Sequence, residues 1–504
     1  MRLILKAAYN SNLKAKRLEL KEETVYTHRR EGITAMYSFA WIMLFITATT
    51  AERAYSCITA VKVVHDAHCS IAYHSIDQGQ GEITVDGVQA DTQHDAIAFT
   101  LGHNEHLHDK IGSTIVFNKV IDVMGLSSDF LSSGVFTCPV DGVYKFQVYS
   151  LTASDKRLWL ELYKNEELVA SVYGYTPDNY AAAANAAILF LKEGDEIFVK
   201  TRNEYDVMVF GTPDQIYTTF SGVRLPKSGV EDDISFSATL STHMVFKEGS
   251  TILYNKVLMN RGNGYNMNGG RFTAPVNGIY IFHFFSLADK DSEIWQELYH
   301  NNDYVCALYG LTPSEFAAAG NTAIVLLRSG DIVQIKARKT NKLYGENDQV
   351  YSTFSGALIT RELPNVPLSS MPIAFSVGLS NSTVVSANSK VMYDLIFVNV
   401  KQAYDQRTGD FTAPTDGLYE FNVHALGQEG EPTWLELFHN YKYIVSLYSL
   451  VPKKYGQTGN SAVIRLHAGD VVYVKTRFDK SSALYGGHKN IYCTFSGYLV
   501  SSTY

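Results

Sequence analysis

The chain repeats itself at the scale of a whole domain. Phe136-Thr137-Cys138-Pro139 returns as Phe272-Thr273-Ala274-Pro275 and Phe411-Thr412-Ala413-Pro414. A tryptophan follows at Trp159, Trp295 and Trp434, and a Gly-Asp pair closes each block at Gly194-Asp195, Gly330-Asp331 and Gly469-Asp470. All three landmarks step by 136 residues and then by 139. Solenoid repeats are about 20–50 residues long, so the period describes a tandem array of complete domains, each large enough to bury its own core. The closing Tyr-x-Thr-Phe-Ser-Gly, at 217–222, 351–356 and 492–497, steps by 134 and 141. The length differences therefore fall in the loop between the Gly-Asp turn and the last strand.

Within a unit the pattern has period 2. Tyr144, Phe146 and Val148 share one face and Lys145 and Gln147 the other, which predicts a half-buried strand. The corresponding apolar faces are Tyr280, Phe282 and Phe284, then Tyr419, Phe421 and Val423. In the tryptophan segment Leu158, Leu160 and Leu162 oppose Trp159, Glu161 and Tyr163. Asn165, Asn301 and Asn440 follow at a short polar turn, where asparagine tolerates positive φ. Pro177, Pro313 and Pro452 end the returning strand, completing a hairpin. Asn185, Asn321 and Asn460 lie in a small-residue segment read as a strand or loop edge, with the asparagine a turn or edge residue. The tryptophans read as packing between domains, with stacking on a sugar ring as the functional alternative. Many short strands without a helical stretch predict an all-β sandwich or jelly roll.

Net charge is −8 with no basic patch, which argues against nucleic acid as a partner. There are 36 glycines but no Gly-x-y run, so this sequence encodes no collagen stalk. No nucleophile elbow, His-Glu-x-x-His, phosphate-binding loop or Cys-x-x-Cys is present, and no catalysis is assigned. His103, His106 and His108 cluster in the first unit without counterparts in the others. Cys57 and Cys69 could close a disulfide loop, whereas Cys138, Cys306 and Cys493 occupy three different places in the unit and read as buried thiols. Asn381-Ser382-Thr383 is a glycosylation sequon.

Residues 1–51 comprise a basic leader and an apolar stretch from Ile33 to Ala48. That stretch is short for a membrane span of about 20 residues and fits a signal peptide, with translation from Met36 and cleavage after Ala51. The chain is then secreted. The alternative is an uncleaved signal-anchor beginning at Met1, a type II membrane protein with extracellular repeats.

Taken together the motifs resemble the globular head domain of complement C1q, of the C1q/TNF superfamily. The third unit carries Ala374-Phe375, Asn399, Tyr404-Asp405, Thr408-Gly409-Asp410-Phe411, Pro414, Gly417, Tyr419, Phe421, Gly469-Asp470 and Phe495-Ser496-Gly497. The second carries Asn260, Tyr265, Gly270-Arg271-Phe272, Pro275, Gly278, Tyr280, Phe282 and Phe354-Ser355-Gly356, without the threonine before Gly270. The first starts at Ala98-Phe99 and has no clear tyrosine ahead of Ser133-Gly134-Val135-Phe136.

The resemblance implies three ten-stranded jelly rolls at 97–225, 236–358 and 375–504, joined by linkers 226–235 and 359–374 and preceded by an extension at 52–96. It implies trimeric self-association and ligand binding by loops and strand edges. Tyr144, Phe146, Phe220, Tyr280, Phe282, Phe354, Tyr419, Phe421 and Phe495 are then core or trimer-interface residues. Asp405 and Asp410 occupy positions where some members bind Ca²⁺, the one candidate cofactor, although two aspartates are too few alone. At about 3.3 Å per residue the linkers reach roughly 33 and 53 Å, enough to set three heads around one axis. One chain then supplies its own pseudo-trimer; the alternative is beads on a string that trimerise between chains. The expected function is a secreted, multivalent recognition protein for microbial or carbohydrate surfaces. The alternatives are a TNF- or cerebellin-like signalling ligand for a cell-surface receptor and an extracellular matrix component.

Overall fold

In each head the strand after the Phe-Thr-x-Pro landmark is ten residues long: Gly142–Leu151, Gly278–Leu287 and Gly417–Leu426. A computed structural model describes residues 96–502, except 110–111, 178, 203–206, 227–232, 347, 363–366, 368–370 and 453, and also the strand pairing of Ile4–Leu5 with Ile83–Thr84. Cys57, Cys69, Met36 and the apolar stretch lie outside the described residues.

The inner sheet has the same order in every head. In the second it runs Lys256–Arg261, Ser235–Thr239, Thr353–Arg361, Gly278–Leu287, Ala318–Leu327, all antiparallel. The outer sheet runs Tyr265–Asn266, Arg271–Thr273, Ile332–Ala337, Ile294–His300, Asp303–Gly310. A short pair, Met244–Phe246 with Asn341–Leu343, completes the jelly roll. The third head repeats this arrangement.

The first head departs from it once, and contradicts the expectation of no helix. Residues Ser128–Ser133 form one short helix where the other heads place the strands Tyr265–Asn266 and Tyr404–Asp405. Those tyrosines stack on Phe236 and Phe375. In the first head Phe130 of the helix fills the role, edge-on to Phe99 at 4.6 Å. An aromatic ring closes the core in all three, supplied by a different backbone.

Two motif glycines have a steric cause. Gly134, Gly270 and Gly409 adopt φ of 71°, 61° and 74°, and a Cβ there would meet the carbonyls of Ile115, Ile252 and Val391 at 2.3, 2.4 and 2.9 Å. In Phe-Ser-Gly, a Cβ on Gly222 would sit 2.4 Å from Phe99, and on Gly356 2.5 Å from Phe282.

The hairpin asparagine and the Gly-Asp turn, 30 residues apart, form one clamp. Asn165, Asn301 and Asn440 have φ of 52°, 54° and 53°. Their amides donate to Asp195, Asp331 and Asp470, each at 2.9 Å, and their carbonyls accept the backbone N–H of the next residue. Against the opposing effect of burial, the Lys192 backbone N–H, the Asn165 amide and the Lys164 ammonium hold the Asp195 carboxyl down at about 2.

Candidate functional site: the axis and the clefts between heads

Residues 95–504 form one compact unit, because the inner sheets of the three heads face one another. The small-residue strand of each head lies against the closing strand of the next. Asn185 donates to the carbonyl of Tyr351 at 3.0 Å and accepts from Thr353 at 2.6 Å. Asn321 donates to Tyr492 at 3.2 Å and accepts from Thr494 at 2.7 Å. Asn460 donates to Tyr217 at 3.2 Å and accepts from Thr219 at 2.7 Å. The third contact returns from the last head to the first, so one heterologous interface used three times closes a ring within a single chain. These asparagines are buried bridges on ten-residue strands at the edge of each inner sheet; the expected edge position holds, and the turn does not. Two small neighbours have a reason too: a Cβ on Gly320 would meet the Phe285 ring at 2.0 Å, and one on Gly459 the His424 ring at 2.6 Å.

The axial strand also differs from expectation. It is buried on both faces, not half-buried: Lys145 is 1% exposed and Gln147 1%. Its second face meets the other heads across the axis. Lys145 Nζ lies 2.6 Å from Glu420 Oε1, and Tyr498 donates to Glu420 Oε2 at 2.9 Å. Gln147 donates to Asn422 at 2.7 Å, and Asn422 donates to Glu420 at 3.0 Å. Thr322 bonds both His283 (2.9 Å) and His424 (3.0 Å), with Tyr149 and Phe285 packed beside His424. Burial drives both histidine pKa values down, that of His424 to about 3. The cavity among Tyr149, Phe285 and His424 is about 20 Å³, room for a single water, so the axis is a packed core and not a channel.

Outside the axis, each tryptophan faces a cleft between heads. Arg202, Arg338 and Arg477 stack on Trp159, Trp295 and Trp434 at 4.7, 4.5 and 4.4 Å. Arg202 pairs with Glu161 of its own head at 2.7 Å and with Asp348 of the next at 3.1 Å. Arg338 pairs with Glu297 and donates to the Lys489 carbonyl and Asn490 of the third head. One face of each ring is thus covered by a guanidinium.

Tyr144, Phe146, Phe220, Tyr280, Phe282, Phe354, Tyr419, Phe421 and Phe495 are all 0% exposed and lie in the cores of their own heads. Asp405 is taken by Arg407 and Asp410 by Lys390. The described residues contain no group of three or more His, Cys, Asp or Glu placed to hold a metal. His103 is buried and bonds the Glu105 carbonyl, while His106 packs on Phe210. Asn381 is exposed, at the start of a short strand pair. Cys138, Cys306 and Cys493 are buried free thiols, with burial raising Cys493 to about 12. No helix among the described residues is long and apolar enough to cross a membrane.

The C1q domain family model matches residues 98–225, 235–359 and 374–500, more than half of the chain. Complement C1q tumor necrosis factor-related protein 6 of Rattus norvegicus is 30% identical over 131 residues, 26% of this chain and 50% of that protein. Complement C1q tumor necrosis factor-related protein 3 of Homo sapiens is 34% identical over 131 residues, 26% of this chain and 52% of that protein. The chain thus spans about half the length of the curated relatives it matches. Among solved structures, the globular domain of zebrafish complement 1qA matches 26% of this chain and 100% of its own, with 19% identity and a TM-score of 0.23.

Proposed function

Since this chain belongs to the C1q domain family, with three tandem C1q heads, we propose that it is a secreted, multivalent recognition protein that binds microbial or carbohydrate surfaces through a head trimer built from one chain. The observation that carries the reading is the inequality of the three outer faces. A ligand that gathers three copies of one receptor presents three equal faces. Here the loop position that Asp348 holds beside Arg202 is taken in the other heads by Lys489 and Asp214, and the hairpin tips are Glu166, Asn302 and Tyr441. Unequal faces on a fixed frame suit a surface of mixed chemistry, where weak contacts add by avidity.

Assembly within the chain removes the concentration dependence of trimerisation. Sedimentation at nanomolar concentration should give one compact species with the mass of a single processed chain, below the 56.2 kDa of the full sequence; a species three times larger excludes intrachain closure. The functional test is retention of the purified protein on bacteria, lipopolysaccharide and glycan arrays, with and without Ca²⁺. Retention on none of them, with saturable binding to a cell-surface receptor, replaces this reading with that of a signalling ligand.

A further inference from the structure

The three clefts between heads are built alike and charged differently. In the cleft between heads one and two, Glu161, Lys200, Arg202 and Asp348 sum to zero. The same positions between heads three and one, Glu436, Lys475, Arg477 and Asp214, also sum to zero. Between heads two and three they are Glu297, Lys336, Arg338 and Lys489, a sum of plus two, which Glu248 on the rim lowers to plus one. One cleft of the ring has exchanged a carboxylate for an ammonium, on a chain whose net charge is −8.

This cleft is also open. Glu248, Gly249, Glu297, Tyr299, Tyr304, Lys336, Arg338 and Lys489 enclose about 300 Å³, the lower end of the range for small-molecule sites. Glu297 is occupied, since it receives Arg338 at 3.0 Å and the Tyr299 hydroxyl at 2.8 Å. Lys336 lies over the Tyr299 ring at 4.5 Å, so its ammonium is held at the wall. Lys489 is exposed and lines the cleft from the opposite head. In the first cleft, by contrast, the Asp348 carboxylate is on Arg202.

We infer that the cleft between the second and third heads is a binding site for an acidic saccharide, with a sulfate or carboxylate held between Lys336 and Lys489. The volume exceeds what a bare anion fills, and Glu248 offers an acceptor to hydroxyl groups while repelling a dense polyanion. The inference rests on the recognition reading and names a ligand class for one of its faces.

The test is calorimetric titration of the full chain with a sulfated, uronic-acid-containing disaccharide, its uncharged counterpart and inorganic sulfate, at about 50 mM salt, where screening is modest. The sulfated disaccharide should bind at one site per chain, at least tenfold tighter than the other two. Lys489→Asp, which installs the residue of the other two clefts at an exposed position, should weaken it at least tenfold with an unchanged melting temperature. Equal binding by Lys489→Asp and the parent chain overturns the site. Equal affinity for inorganic sulfate or for the uncharged sugar overturns the ligand class. Retention on bacteria that survives Lys489→Asp leaves the recognition reading standing without this site. Lys489-dependent disaccharide binding without retention on any microbial surface keeps the site and narrows the recognition reading to carbohydrate surfaces.

Discussion

The two faces of the axial strand are the most instructive pair of regions in the molecule. Toward the head core the three copies read Tyr144-Phe146, Tyr280-Phe282 and Tyr419-Phe421, the same residues each time. Toward the axis they read Lys145-Gln147-Tyr149, Ile281-His283-Phe285 and Glu420-Asn422-His424, different at every level. Each head needs its own core, so that face exists three times and stays the same. The axis exists once per molecule, so its three contributions are free to diverge and complement one another. Three identical heads would place three lysines or three glutamates at the level now held by Lys145, Ile281 and Glu420. The divergence therefore makes each head suited to the other two and poorly suited to copies of itself.

The strongest way to break this comparison is to leave one member of the axial pair without the other. Lys145→Met leaves the Glu420 carboxylate buried and uncompensated by charge, and should cost about 3–5 kcal/mol in chemical denaturation. The double variant Lys145→Met with Glu420→Leu should recover most of that loss, since an apolar pair already works at the neighbouring Ile281. A double variant as unstable as the single one shows that the axis tolerates no substitution, and the complementarity account fails.

Next in size is the asparagine bridge between heads. Asn321→Ala leaves the Thr494 hydroxyl and the Tyr492 carbonyl without their bonds to Asn321 across the contact between heads two and three, and should cost up to about 3 kcal/mol. Thr494→Ala alone should cost less, because the asparagine carbonyl keeps the Thr322 N–H. If the two substitutions prove additive, the bridge is not a unit.

How much of this could be read from the chain follows from the same contrast. The core face was legible because its period-2 pattern and its glycines are local signals repeated three times. The axial face was misread because Lys145, Gln147, Asn422 and His424 look like residues for solvent. Only the second copy hinted at the truth: Gly278-Ile279-Tyr280-Ile281-Phe282 is apolar on both faces, as a doubly buried strand is. The recurring asparagines were visible, yet their partners lie 168, 173 and 241 residues away, beyond any local pattern. The helix at Ser128–Ser133 escaped notice because a single turn and a half carries no periodicity to detect.

The axial histidines make the comparison pH-dependent. Burial, together with the facing Lys145 ammonium for His283, holds both in the neutral form. The folded pKa of His424 is about 3, below the 6.5 of an ordinary histidine, so the unfolded chain binds protons first as pH falls. The contribution of His424 is therefore complete above 6.5 and is lost progressively toward 3, by about 1.4 kcal/mol per pH unit, and His283 acts in the same direction. Between pH 6.5 and 5 His424 alone should cost about 2 kcal/mol. His424→Phe, which matches Phe285 of the second head, should flatten the slope in that window. A slope unchanged by the substitution assigns the acid sensitivity to other groups.

The smallest effect sharpens the comparison from outside. Heads one and three are joined by a second ion pair, Arg465 with Asp122 at 2.7 Å, at the rim and not on the axis. The arginine there is 50% exposed, against 1% for Lys145, so water already solvates it and salt screens it. Arg465→Ala should therefore cost less than about 1 kcal/mol, and less still at high salt. The two pairs join the same two heads with the same charges reversed, so burial is the main difference between them. If Arg465→Ala proves as damaging as Lys145→Met, the energy of the ring lies at its rim, and the divergence of the axial residues is no longer what specifies the order of the heads.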